Sequence, residues 1–151
     1  MQRNDEKRFF GILRELEENP HVRKLKRYRQ HKGNTTFRHC RSVAVTSFRM
    51  AQRLGWRVDE NALARGAMLH DYHLYTRQKK QIGSLRHLVE HPKRACRNAA
   101  KIFTLSGKER NIIESHMWPL TPLRVPRSKE AVLVMLADKY CAFREMRGHR
   151  G

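Results

Sequence analysis

Apolar residues in this chain recur at three- and four-residue steps, the spacing that places side chains on one face of an α-helix. Over residues 35–55 the pattern is carried by Phe37, Cys40, Ala44, Phe48 and Ala51, with Gly55 expected to end the helix. No run alternates apolar and polar residues over the length of a β-strand. We therefore expect an all-α bundle of five to six helices.

Local signals predict where these helices begin. A first amphipathic helix is expected over residues 4–18. Asp59, Ser106 and Ser128 each precede an apolar helical segment and are typical N-terminal caps. Because proline is tolerated in the first turn of a helix, Pro92 is expected to open another.

The charge of the chain limits its partners. The 151 residues suffice for one domain with a real core, and 33 Lys and Arg stand against 14 Asp and Glu, a formal charge of +19. Such an excess favours an anionic partner, whether a nucleotide, a nucleic acid or an anionic surface, without choosing among them. The oligomeric state stays open.

The cysteines and the apolar runs predict a cytoplasmic protein. Three cysteines without CxxC spacing are typical of reduced, buried thiols and exclude a zinc finger. No apolar run reaches the roughly 18 residues of a membrane span, and the N-terminus lacks the apolar core of a secretory signal. We expect no membrane partner.

Polar residues that interrupt the apolar helices indicate a metal site. The run from Gly66 to Tyr75, GAMLHDYHLY, ends its apolar part on an imidazole and a carboxylate. Six polar residues in all interrupt apolar helical segments, and most are expected at helix ends. They are His39, His70, Asp71, His91, His116 and Asp138. Each alone is more simply a hydrogen-bonded or ion-paired core residue. Together they share one explanation, helices converging on a cation, and mixed imidazole and carboxylate ligands suit Mn, Fe, Co, Ni or Zn.

The order of these residues resembles the HD superfamily of metal-dependent phosphohydrolases. The superfamily pattern is a histidine on an early helix, a His-Asp pair, in some members two further histidines, and a late aspartate. The segments FRHCRSVA, AMLHD, EHPKRACRNA, IIESHMWPL and LADKYCAFRE are similar to the subgroup with the two extra histidines, which includes the symmetrical diadenosine tetraphosphate hydrolases. The resemblance covers roughly residues 35–146 and implies an HD-type helical domain over residues 35–151. We expect the N-terminal helix and basic stretch of residues 1–34 to pack on this domain.

The resemblance also implies roles. His39, His70 and Asp138 would hold one divalent ion, His91 and His116 a second, and Asp71 would bridge them. One or two ions of Fe, Mn, Co, Ni or Zn would then activate a hydroxide. That hydroxide would cleave a phosphomonoester, phosphodiester or pyrophosphate bond in a phosphorylated small molecule or nucleotide-like substrate.

Other residues refine this expectation. The Lys or Glu that several HD subgroups carry three residues after the aspartate is replaced by Leu74, so those activities and guanosine polyphosphate hydrolysis are not favoured. Candidate phosphate-binding residues are Lys93, Arg94, Lys139 and Arg144, each of which is otherwise a solvated surface charge. Lys139 is the strongest, and a candidate catalytic residue with Asp71, because it neighbours Asp138.

A basic segment offers an alternative from a different class. Between Glu18 and Asp59 there is no acidic residue, while eleven Lys and Arg fall within residues 23–57, with Tyr28 among them. Such a run is equally typical of a solvated face and of contact with nucleic-acid phosphates. The chain would then be a nucleic-acid-binding or regulatory module with a structural or vestigial metal site.

Overall fold

Helices form the whole framework of the domain. A computed structural model describes residues 2–29, 33–72 and 85–148, and within these ranges it contains no β-strand. The helices are α1 (Gln2–Glu18), α2 (Pro20–Arg23), α3 (Thr36–Leu54), α4 (Glu60–Leu69), α5 (Leu85–Ala100), α6 (Gly107–Ser115) and α7 (Lys129–Arg147), with a 3₁₀ turn at Lys24–Arg27. The predicted all-α class is confirmed, and the single-turn α2 is the element that apolar periodicity did not reveal.

Side-chain caps begin the long helices as the sequence predicts. The side chains of Asp59, Ser106 and Ser128 each accept a hydrogen bond from the backbone N–H three residues later. Thr35 caps α3 in the same way. Gly55 ends α3 with φ of 67°, a left-handed conformation that glycine adopts without a side-chain clash. These caps fix where α4, α6 and α7 start.

The bundle is built around α3 and α4. Helix α3 packs against α7 and α4, α4 packs against α1 and α6, and α6 also contacts α5 and α7. On the α1 side, the rings of Phe9 and Phe48 stack with centroids 4.2 Å apart. Gly66 permits the close approach of α4 to α6, because an added Cβ would lie 2.6 Å from a side-chain atom of Ile112. This contact brings together the ends of two helices that carry histidines.

Helix α5 departs from the sequence prediction. Pro92 was expected in the first turn, but the helix begins at Leu85 and Pro92 lies inside it. Proline removes one intrahelical hydrogen bond, yet the helix continues because Pro92, Ala95 and Ala99 are all buried against the bundle. His91 therefore lies in mid-helix rather than at a helix terminus.

The remaining expectations concern the cysteines and membranes. Cys40, Cys96 and Cys141 are all buried and free, in agreement with the predicted reduced thiols. Among the described residues, no helix has both the length and the apolar character needed to cross a lipid bilayer.

Candidate metal centre

Five helices deliver the predicted polar residues to one place. His39 lies in the first turns of α3, and Asp138 lies halfway along α7. His70 and His116 occupy the C-terminal cap positions of α4 and α6, and Asp71 follows directly after His70. With His91 from α5, the structure brings all six sequence-predicted residues together, in two groups that share Asp71.

The first group consists of His39, His70, Asp71 and Asp138. Nε2 of His39 lies 2.8 Å from Oδ1 of Asp138 and 3.4 Å from Oδ2 of Asp71. Nε2 of His70 lies 3.2 Å from each of the same two oxygens. Two imidazole nitrogens and two carboxylates thus face one point, a ligand set that could hold a single cation.

The second group consists of Asp71, His91 and His116. It uses the other oxygen of the shared carboxylate: Oδ1 of Asp71 lies 2.6 Å from Nε2 of His91 and 3.5 Å from Nε2 of His116. Asp71 therefore turns one oxygen toward each group. The two groups lie side by side with one carboxylate between them.

Backbone carbonyls orient two of the histidines. Nδ1 of His70 lies 2.6 Å from the carbonyl oxygen of Ala67, and Nδ1 of His116 lies 2.6 Å from that of Ile113. A carbonyl only accepts, so each Nδ1 carries the proton and donates it. The opposite nitrogen, Nε2, is then the one directed at the carboxylates. This arrangement is typical of metal-ligating histidines, whose non-ligating nitrogen donates to a carbonyl or carboxylate.

The carboxylates of the first group favour a cation there, against the effect of burial. Burial disfavours protonation of His39, but hydrogen bonds to Asp138 and Glu145 outweigh it and raise the His39 pKa well above its ordinary value. Burial alone would lower the pKa of His70, but the charges of Asp71 and Asp138 and a hydrogen bond to Asp138 contribute to raising it well above its ordinary value. The carboxylates thus stabilise positive charge at this point, whether as protons or as a metal ion.

The carboxylates are held in their charged form. Burial alone would raise the pKa of Asp71, yet the positive charges of His70 and His91 keep it well below its usual range. The pKa of Asp138 is lowered in the same way, mainly by His70. Burial lowers the pKa of His116, so this imidazole favours the neutral form that ligates a metal. The donor set therefore fits a divalent transition metal.

The span that contains this centre matches a known domain family. The model of the HD domain matches residues 36–142, more than half of the chain. The chain belongs to the HD domain family. The HD domain defines a superfamily of metal-dependent phosphohydrolases, and all six residues of the two groups lie within the matched span. No curated protein and no solved structure matches the chain.

Sequence reasoning missed one residue at the edge of this HD centre. Glu145 places both carboxylate oxygens 3.0 Å from Nδ1 of His39. It lies seven residues after Asp138 on α7, and seven residues are almost two helical turns, so the two side chains project from the same face. That spacing is the signal that could have found it. It lies three residues beyond the end of the HD domain match.

Lys139 follows Asp138 of the first group on α7 and contacts His116 of the second. Its Nζ donates a hydrogen bond of 3.2 Å to the backbone carbonyl of His116, so the side chain reaches from α7 across to the end of α6. Partial burial of the ammonium lowers the pKa of Lys139, and the neighbouring charge of Asp138 opposes that shift. The ammonium group therefore lies beside the second group of the HD centre.

The other predicted phosphate-binding residues lie further out. Arg94 forms an ion pair of 3.5 Å with Glu90 on the same helix, α5. Lys93 is exposed. Arg144 is exposed and places its guanidinium 5.8 Å from the centroid of the Tyr140 ring. Of the four predicted residues, Lys139 has a contact with a residue of the two groups.

The Lys and Arg side chains of residues 23–57 face solvent in the part that the structure describes. Every Lys and Arg of residues 23–57 in the described ranges is solvent-exposed, while Lys32 lies outside them. The segment is tied to the HD domain where the backbone N–H of Thr36 donates to the carbonyl of Tyr28 at 2.7 Å. Thr36 begins α3, one turn before His39.

Proposed function

We propose that this chain is a metal-dependent phosphohydrolase whose reaction centre is organised by Asp71. The proposal rests on one observation, the orientation of that carboxylate, which directs Oδ2 toward the first group and Oδ1 toward the second. A carboxylate in this position would be able to serve a cation in each group. Family membership supports the class of reaction, since HD domains are metal-dependent phosphohydrolases.

The ligand assignment follows from the two groups. We propose that one divalent ion is held by His39, His70, Asp71 and Asp138. A second is held by Asp71, His91 and His116. Mixed imidazole and carboxylate donors suit Mn, Fe, Co, Ni or Zn better than Mg or Ca, which prefer oxygen ligands alone.

Asp71 and Lys139 have different roles in the proposed reaction. A bound divalent ion supplies a Lewis acid for phosphoryl oxygens and lowers the pKa of water toward neutrality. Asp71 fixes the spacing between the two groups, which is why we propose it as a catalytic residue. The ammonium of Lys139, beside His116, is placed to exchange its carbonyl partner for a phosphoryl oxygen and so to stabilise negative charge as it develops.

Three other basic residues are proposed to bind the part of the substrate that is not cleaved. We propose that Lys93, Arg94 and Arg144 bind phosphates that are not cleaved. Arg94 follows His91 by three residues, so both project from nearly the same face of α5. Its contribution requires exchange of its ion pair with Glu90 for a phosphate oxygen.

The substrate that we propose is nucleotide-like. The strong positive charge of the chain supports an anionic substrate with several phosphates. The similarity of the histidine pattern to that of symmetrical diadenosine tetraphosphate hydrolases makes dinucleoside polyphosphates the first compounds to test. The cleaved bond is a phosphomonoester, phosphodiester or pyrophosphate bond.

The test is a phosphate-release screen on protein loaded in turn with Mn²⁺, Fe²⁺, Co²⁺, Ni²⁺ and Zn²⁺. We expect turnover of at least one nucleotide or dinucleoside polyphosphate, loss of turnover after chelation, and recovery when the metal returns. His70→Ala should be inactive because it removes a ligand. Glu15→Ala, which changes an exposed carboxylate on α1, should match wild type. A metal-loaded wild type that releases no product from any of these substrates would contradict the proposal.

A further inference from the structure

His39 is oriented differently from the other histidines of the centre. His70 and His116 end their helices, and Nδ1 of each ring donates to a backbone carbonyl in the last turn of its own helix. His39 lies near the start of α3, where the carbonyls are used within the helix. The partner of its Nδ1 comes from another element.

That partner is Glu145 of α7. Both carboxylate oxygens of Glu145 lie 3.0 Å from Nδ1 of His39, and the carboxylate is largely shielded from solvent, with 14% of its side-chain surface exposed. The imidazole is 1% exposed. A charged hydrogen bond between groups buried to this degree is stronger than one in water.

The direction of this hydrogen bond determines which nitrogen faces the metal centre. A carboxylate only accepts, so Nδ1 of His39 donates and Nε2 is left to face Asp71 and Asp138. Without the acceptor, the ring gains rotational freedom and can adopt the other tautomer, with its proton on the nitrogen that should ligate.

We propose that Glu145 is a positioning residue for the first metal group, acting through His39 without binding the metal itself. The inference rests on the metal-binding part of the proposed function and is independent of the substrate. Partners of ligating histidines of this kind typically contribute tenfold to a hundredfold in metal affinity. The two oxygens of Glu145 both face Nδ1, on the far side of the ring from Nε2, which is the reason for excluding it as a ligand.

The experiment measures Co²⁺ affinity by competition with a chelator, in a His91→Ala background so that the first group is observed alone. Glu145→Ala should weaken Co²⁺ binding about tenfold to a hundredfold. Glu145→Gln retains an amide oxygen that accepts from Nδ1, so its affinity should remain within about threefold of the background. Glu15→Ala should have no effect. Imidazole ¹H–¹⁵N spectra of the Zn²⁺-loaded protein report the tautomer, and Nδ1 of His39 should carry the proton when residue 145 is Glu or Gln.

Each outcome separates the possible roles of Glu145. If Glu145→Gln weakens Co²⁺ binding by more than about tenfold, Glu145 acts as a ligand or by its charge and the positioning role is wrong. If Glu145→Ala lowers only the free energy of unfolding and leaves Co²⁺ affinity unchanged, its role is structural and the inference is again wrong. Failure of the unsubstituted protein to bind Co²⁺ would instead overturn the proposed metal centre.

Discussion

The two ligand groups that share Asp71 differ in how they are built. The first group has ligand atoms from four side chains on α3, α4 and α7, helices that pack directly against one another. The second has three, and His91 comes from α5, whose contacts are mainly with α6. The side chain of His91 is 13% exposed, whereas that of His70 is fully buried.

This difference predicts an order of occupation. A group with more ligands on mutually packed helices requires less rearrangement to bind an ion, so the first group should bind more tightly. The second, with fewer ligands and a more accessible histidine, should exchange its ion more readily. In the proposed two-ion centre, the first ion would be the more tightly held and the second the more accessible to substrate.

Removal of the shared carboxylate should have the largest effect, because it acts on both groups. Asp71→Ala should lose the second ion, weaken the first, and abolish phosphate release. Elemental analysis of the purified variant, together with the phosphate-release assay, measures these effects. A variant that retained two ions per chain would show that Asp71 does not link the groups.

Removal of the Lys139 ammonium should have a smaller effect than removal of Asp71. Lys139→Ala removes an ammonium that donates to the carbonyl of His116 but removes no ligand. Metal content should stay near wild type, while loss of one positioned donor typically costs about 2.7–4 kcal/mol in the transition state, roughly a hundredfold to a thousandfold in turnover. Arg144→Ala, on the same helix, is the comparison variant and should be milder. Equal turnover in Lys139→Ala and wild type would rule out the phosphate-binding role of Lys139.

The alkylation rate of Cys96 on α5 tests whether that helix stays packed on the bundle when His91 is substituted. Burial raises the pKa of Cys96 to about 11, so at pH 8 its reactive thiolate is scarce and alkylation should be about a hundredfold slower than for a free cysteine. The rate should rise as pH approaches that pKa, because the thiolate fraction rises. Peptide mapping after iodoacetamide treatment should give the same slow rate in His91→Ala. Fast alkylation in that variant would mean that α5 undocks, and metal loss could then not be assigned to the ligand.

Substitution of the basic segment should have the smallest effect on the centre. Arg23, Lys24, Lys26 and Arg27 are exposed, and we place them outside both groups. Changing all four to Gln should leave metal content and hydrolysis of a small nucleotide nearly intact. Loss of small-substrate turnover would show that this segment, rather than Lys139, binds the phosphates. Binding of RNA or DNA that falls steeply with salt in wild type, and is lost in this variant, would support the alternative nucleic-acid role.

Local sequence patterns were sufficient to predict the all-α fold and the six residues that the structure brings together. The caps at Asp59, Ser106 and Ser128 depend on neighbouring residues alone, and the structure confirms them. The six polar residues stood out because they interrupt apolar helices, and the structure brings all of them together. Apolar periodicity also fixed which faces are buried.

The features that sequence reasoning missed depend on distant contacts. Glu145 contacts His39 across 106 residues. Its spacing from Asp138 places both on one face of α7, but no local pattern identifies His39 as the partner. The start of α5 was misplaced because proline usually opens a helix, whereas burial of Pro92 and Ala95 keeps the helix intact on both sides. The partner of Lys139, a backbone carbonyl on another helix, has no signature in the sequence.

The most direct test of the account is the number of metal ions per chain in wild type and in His91→Ala, measured by elemental analysis of metal-saturated, desalted protein. Two groups linked by Asp71 predict two ions in wild type and one in His91→Ala, with the retained ion the more slowly exchanging of the two. One ion per chain in both proteins would contradict the second group and the division of the centre into a fixed and an exchangeable ion.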